Sequence, residues 1–176
     1  EAYCARRSHK LKDKNVKQIN GDGKEIIVDR SGWHLILLAK NIVGYHNLCK
    51  LASLAYLDGF YDRPRIDKQM LAEYHEGLIV SSACLGGEIP QLIMQGETDK
   101  AEESIRWFKS IFGDDYYLEI MRHETNLPMA DQTVYAKQQK VNRVIIELAR
   151  KTNTKIICTN DVHFDKQEHA EAHDRL

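Results

Sequence analysis

Asp161 and His163 stand two residues apart just beyond a short apolar run, Lys155-Ile156-Ile157-Cys158. In an extended segment residues i and i+2 point to the same side. The carboxylate and the imidazole are therefore expected to look one way, where a strand leaves its sheet. Such a pair can share a divalent metal or orient one another for proton transfer. It can equally be a buried strand ending in a hydrogen-bonded turn. Cys84 and His123 follow two further segments that read as strands, 78–82 and 116–121. In parallel α/β architectures the loops at the C-terminal strand ends share one face, and that face carries the active site. Glu1, at the end of a first strand, belongs to the same ring. Imidazoles, carboxylates and a thiolate suit zinc, manganese or iron.

Each candidate has a plainer role open to it. A lone cysteine before a helix often serves as a small buried hydrophobe, and His123 could cap the loop around Pro128. His34 begins an apolar strand, which puts it at the opposite end of the sheet and makes it structural. His9, His46, His75 and His169 receive no role, and His173 lies in a helix at the end of the chain. Other chemistries find little support. Ser81-Ser82 lies on a strand without a nucleophile elbow, and neither a phosphate-binding loop nor a dinucleotide fingerprint occurs. Gly86-Gly87 at a helix start is a weak anion signal.

Positioning these groups requires a sheet and its helices. Residues 34–39, His-Leu-Ile-Leu-Leu-Ala, form a continuous apolar strand of the kind buried on both faces. Asn41 can cap a helix whose stripe is Leu48, Leu51, Ala52 and Ala55, and Asp67 can cap a short one carrying Met70 and Leu71. Pro90 is tolerated in the first turn of the helix after Gly87. Ala101, Ile105, Phe108 and Ile111 mark another helix, and Val134, Val141, Ile145 and Leu148 a long one. Asp165 and Glu168 suggest a capping box. Strands alternating with helices from residue 34 onward imply an α/β fold built on a mostly parallel sheet.

The 176 residues are 43% hydrophobic and 29% charged, with a net charge of −1, so the whole chain is no electrostatic clamp for nucleic acid. Six cations against Asp13 in residues 6–17, followed by Asn20-Gly21-Asp22-Gly23, read as a solvated, exposed basic loop. Four scattered cysteines without CxxC pairs fit free thiols in a reducing cytoplasm. No run approaches a membrane span. The opening Glu1-Ala2-Tyr3-Cys4-Ala5 reads like a strand cut short, so the chain is expected to be a piece of a longer protein.

Several motifs carry a resemblance: Glu1-Ala2-Tyr3, residues 33–41, Gly44-Tyr45-His46-Asn47-Leu48, Gly77-Leu78-Ile79, Cys84-Leu85-Gly86-Gly87-Glu88-Ile89-Pro90 and Thr159-Asn160-Asp161-Val162-His163-Phe164. In order, they resemble the PHP (polymerase and histidinol phosphatase) domains of bacterial DNA polymerase III alpha subunits. The basic loop at 6–23 matches least. The resemblance implies part of a distorted (β/α)7 barrel over residues 1–176, with early motifs and the polymerase domains lying outside. It also implies metal ligation by Glu1, Cys84, His123, Asp161 and His163, with zinc, manganese or magnesium held weakly or not at all by the fragment. The implied parent is a cytoplasmic DNA-directed DNA polymerase acting on DNA and deoxynucleoside triphosphates with other replisome subunits. Within it the domain would be either a metal-dependent 3′-5′ exonuclease or a silent scaffold docking a proofreading exonuclease. A free-standing phosphatase is a further alternative.

Overall fold

The computed structural model describes residues 1–30, 32–125, 131, 133–173 and 175; the loop position Pro128 lies outside them. The main sheet has six strands: β1 (Ala2–Ala5), β4 (Gly32–Ala39), β5 (Arg65–Ile66), β6 (Leu78–Ser81), β7 (Tyr116–Ile120) and β8 (Lys155–Cys158). They lie in the order β5-β1-β4-β6-β7-β8. A separate hairpin pairs β2 (Lys17–Ile19) with β3 (Glu25–Ile27). Neighbours β1/β5, β6/β7 and β7/β8 are parallel, whereas β4 is antiparallel to both β1 and β6. Five strands therefore share a direction and β4 alone opposes them.

The helices form where capping and apolar spacing agree. Asn41 accepts the amide of Gly44 at 3.0 Å to start α1 (Ile42–Leu57), and Asp67 accepts that of Met70 to start α2 (Lys68–Glu73). A side chain in this role is worth about 1 kcal/mol. Pro90 is the third residue of α3 (Glu88–Met94), where its missing amide costs no helical bond. Helices α4 (Thr98–Phe112) and α5 (Thr133–Thr152) pack their apolar stripes on the sheet, burying Ile105, Phe108 and Ile145 against Val80, Tyr116 and Leu118. The rings of Phe108 and Tyr116 stack at 4.9 Å. A last short helix, α6 (Ala170–His173), follows a single 3-10 turn, and Asp165 pairs with His169 at 2.7 Å. Among the described residues no helix is long and apolar enough to cross a membrane.

The basic segment is more ordered than its composition suggests. Its lysines are exposed, but its start and the stretch that follows the hairpin are fastened together by the fully buried Arg65. The Arg65 guanidinium donates to the carbonyls of Gly59 (3.0 Å), Asp29, His9 (2.7 Å) and Leu11 (3.1 Å). Asp29 in turn receives Arg7 and the amide of Asp13, while the buried His9 ring lies 2.5 Å from Asp67 and its amide donates to the same carboxylate at 3.0 Å. The hairpin tip rests on α3, where the Gly21 amide donates to Gln91 at 2.8 Å. Composition predicts an exposed loop because it counts charges and is blind to carbonyls that converge on a distant arginine.

Candidate functional site

The reversal of β4 decides what meets at the ends of the strands. Because β4 runs against its neighbours, its first residues lie beside the last residues of β6, and His34 joins the end at which β6, β7 and β8 stop. The expectation that His34 sits at the far end is thus overturned by strand direction. Its backbone amide donates to Gly86 at 3.0 Å. Its Nδ1 lies 3.2 Å from Glu1 Oε1 and 3.5 Å from Cys84 Sγ. Glu1 reaches it because Tyr3 is the cross-strand partner of His34, and residues 1 and 3 share a face.

The loop carrying Cys84 is shaped for this approach. Ala83 holds a left-handed φ of 61°, uncommon for a residue with a side chain and a form of strain that gathers at functional sites. A Cβ on Gly86 would stand 3.0 Å from the His34 ring, so glycine there lets the imidazole lie close. Burial pushes the Cys84 thiol up to about 11, against the lowering effect of the Gly86 backbone, and Asp161 and Glu1 add to the rise. The sulfur is therefore a neutral thiol near pH 7, flanked by two carboxylates and an imidazole.

A buried carboxylate that sequence reading passed over ties these loops together. Glu119, on β7, accepts the hydroxyls of Ser81 and Thr159 and the amide of Ala83 at 3.1 Å. Its own amide donates to Ser82 at 2.8 Å. Ser81 and Ala83 lead into Cys84, and Thr159 precedes Asp161 by two residues, so one side chain fixes the spacing between the two loops. A charged residue inside an otherwise apolar strand, Tyr-Tyr-Leu-Glu-Ile, was the available signal.

The structure therefore brings together Glu1, His34, Cys84 and Asp161. His123 is held elsewhere: its amide donates to Gln138 Oε1 at 2.7 Å and its Nδ1 meets Gln138 Nε2 at 2.9 Å. Gln138 also lines a small cavity beside Cys84, which places His123 one residue removed from the group. His163 turns its Nδ1 back to the carbonyl of Asp161 at 2.9 Å and packs edge-on against His173. The alternation that aligned Asp161 with His163 does not reach them, because β8 ends at Cys158. Carboxylate, imidazole and thiol are fitting donors for zinc or manganese. Among the described residues, however, no three His, Cys, Asp or Glu side chains are arranged to hold one ion. The donors are instead engaged with each other.

A family model described as the PHP domain matches residues 2–123. The chain is 42% identical to the DNA polymerase III subunit alpha of Borreliella burgdorferi over 99% of its length, and 47% identical to that of Thermus aquaticus over 85%. The Aquifex aeolicus protein of the same name is 44% identical over 84%. The chain spans only 11–13% of the length of these relatives. It belongs to the PHP domain family.

Proposed function

We propose that this PHP domain is part of a cytoplasmic DNA polymerase III alpha subunit serving DNA replication, and that it carries a metal-dependent phosphoesterase site of the 3′-5′ exonuclease type. The observation that carries the reading is the meeting of Glu1, His34, Cys84 and Asp161 at the ends of β1, β4, β6 and β8. Those four residues are the candidate ligands; His123, held by Gln138, and His163, turned to the Asp161 carbonyl, would have to leave those partners to join them. A divalent ion (zinc, manganese or magnesium) would activate a water and neutralise phosphate charge when bound. Glu119 holds the loops at their working distance, and Gly86 keeps the imidazole against Cys84. Since the donors are paired with one another, the chain by itself holds an ion weakly, and further strands completing a (β/α)7 barrel would supply the remaining ligands. The chain alone extends no primer; nucleotide transfer, templates and replisome contacts belong to the longer protein.

A second reading, a scaffold that docks a proofreading exonuclease, is favoured by α1. That helix is apolar on several sides and exposes Ile42, Tyr45, Tyr56 and Leu57. One experiment separates the two readings. In the full-length protein, release of nucleotides from the 3′ end of single-stranded DNA should be abolished by a chelator and fall at least about 100-fold in His34→Ala, a loss of roughly 2.7 kcal/mol in barrier lowering. Primer extension should persist. Degradation that survives both treatments would defeat the phosphoesterase reading.

A further inference from the structure

The hairpin β2–β3 covers part of the same sheet face that carries Glu1, Tyr3 and His34, and leaves a cleft of about 610 Å³ between them. That volume lies within the range of about 300–1,000 Å³ typical of ligand sites. The cleft is walled by Lys17 and Arg30 on the hairpin side, by Arg63 and Asp62 on the turn before β5, and by Tyr3 and His34 on its floor.

Its charges are unevenly matched. Lys17 pairs with Glu25 at 2.9 Å and Arg30 with Asp62 at 3.1 Å, both at exposed positions where such pairs are worth little and exchange readily for another anion. Arg63 is different. Its guanidinium lies 4.8 Å over the Tyr3 ring and donates to the Tyr3 hydroxyl at 2.5 Å. Among the described residues no carboxylate lies within ion-pair distance of it. Tyr3 in turn meets the His34 ring edge-on at 5.2 Å. A cation that shares Asp62 with Arg30 and has no ion pair of its own among the described residues is thus linked through one aromatic ring to the imidazole at the centre of the candidate site.

The geometry points to this cleft as the substrate-holding subsite, taking the phosphodiester backbone of a single-stranded polynucleotide, with Arg63 and Arg30 on successive phosphates and the strand running toward His34. This rests on the phosphoesterase reading for what happens at His34, but the binding step stands apart from it. A guanidinium suits the role because its planar donors match phosphate oxygens two at a time. A chain ligand is favoured over a single phosphate because the arginines stand on separate walls of the cleft, Arg30 on the hairpin side and Arg63 on the turn before β5.

The test is the binding of a fluorescently labelled oligothymidylate to this chain in the presence of EDTA, so that no cleavage contributes. Fluorescence anisotropy would be followed across a salt series. Arg63→Gln and Arg30→Gln should each weaken binding several-fold and flatten the slope of log affinity against log salt by about 0.7, the value for one lost contact to a single strand. Lys100→Gln, on the solvent face of α4, should change neither. Unchanged binding in both arginine variants would overturn the proposal, as would failure of the wild-type chain to bind at low salt or equal competition by an oligoglutamate of the same charge. If binding follows the prediction while the full-length protein cleaves nothing, the cleft stands and the phosphoesterase reading fails. Cleavage of a small phosphodiester by the full-length protein, with no oligonucleotide bound by this chain, is the reverse case.

Discussion

The polar clusters around Arg65 and His34 differ in how their hydrogen bonds close. Around Arg65 every interaction turns inward: guanidinium donors meet four backbone carbonyls, and the arginine has no exposed surface. Around His34 the groups are shared and open. One imidazole nitrogen serves both Glu1 and Cys84, and about a third of the His34 and Glu1 side chains remains exposed. Buried polar networks with every member satisfied specify structure, whereas groups left with spare capacity at a surface can accept a ligand. Charge content would not tell the two apart, since both hold acids and bases. Closure does.

The sharpest way to break that comparison is to remove the centre of the closed cluster. Arg65→Met should orphan three buried carbonyls, those of Gly59, Asp29 and His9, and free the part-buried one of Leu11, destabilising the chain by about 3 kcal/mol at roughly 1 kcal/mol for each buried partner lost. Urea denaturation would measure it, and a loss below about 1 kcal/mol would mean the hub is ornamental. Glu119→Gln should cost less, about 2 kcal/mol, because the amide keeps the shape but can accept through one atom only. The same titration would read it.

His34→Ala belongs at the low end for stability. Its partners stay in contact with water, so the change should fall within about 1 kcal/mol. A cost as large as that of Arg65→Met would place the open cluster in the structural class. The smallest effect concerns reactivity. Cys84 is raised to about 11, which favours the neutral thiol, so its thiolate fraction at pH 8 is low and grows only as pH climbs toward that value. Iodoacetamide should label exposed Cys49 and Cys158 first, with Cys84 on the order of 10–100-fold slower. Peptide mapping by mass spectrometry would show the order, and early labelling of Cys84 would contradict it.

The elements were largely legible in the sequence, because caps and periodicity are local. Asn41, Asp67 and Pro90 announce their helices, and residues 34–39 announce a strand. Strand direction is not local, and that is where His34 was misplaced. A usable signal existed: no helical periodicity occurs between Ala5 and Gly32, and parallel neighbours need a long crossover, usually a helix. Its lack argues for an antiparallel pair. Arg65 carried no signal at all, since a charged residue after proline reads as an exposed turn until the carbonyls of His9, Leu11 and Asp29, distant in sequence, are seen to surround it. Asp161 and His163 show the opposite failure, an alternation rule extended beyond the strand that justifies it.

The direction of β4 has a consequence for how such a domain can change over time. A strand that runs with its neighbours is fed from the end where the helices return, so lengthening its connection disturbs the packing behind the sheet. A strand that runs against them is fed from the working end. The segment entering β4 can therefore grow, shrink or exchange its charges while Leu35 and Leu37 keep their places in the core. Among relatives, differences in length should gather between β1 and β4, and lineages can refit the rim of the cleft to new strands without redesigning the scaffold that holds it.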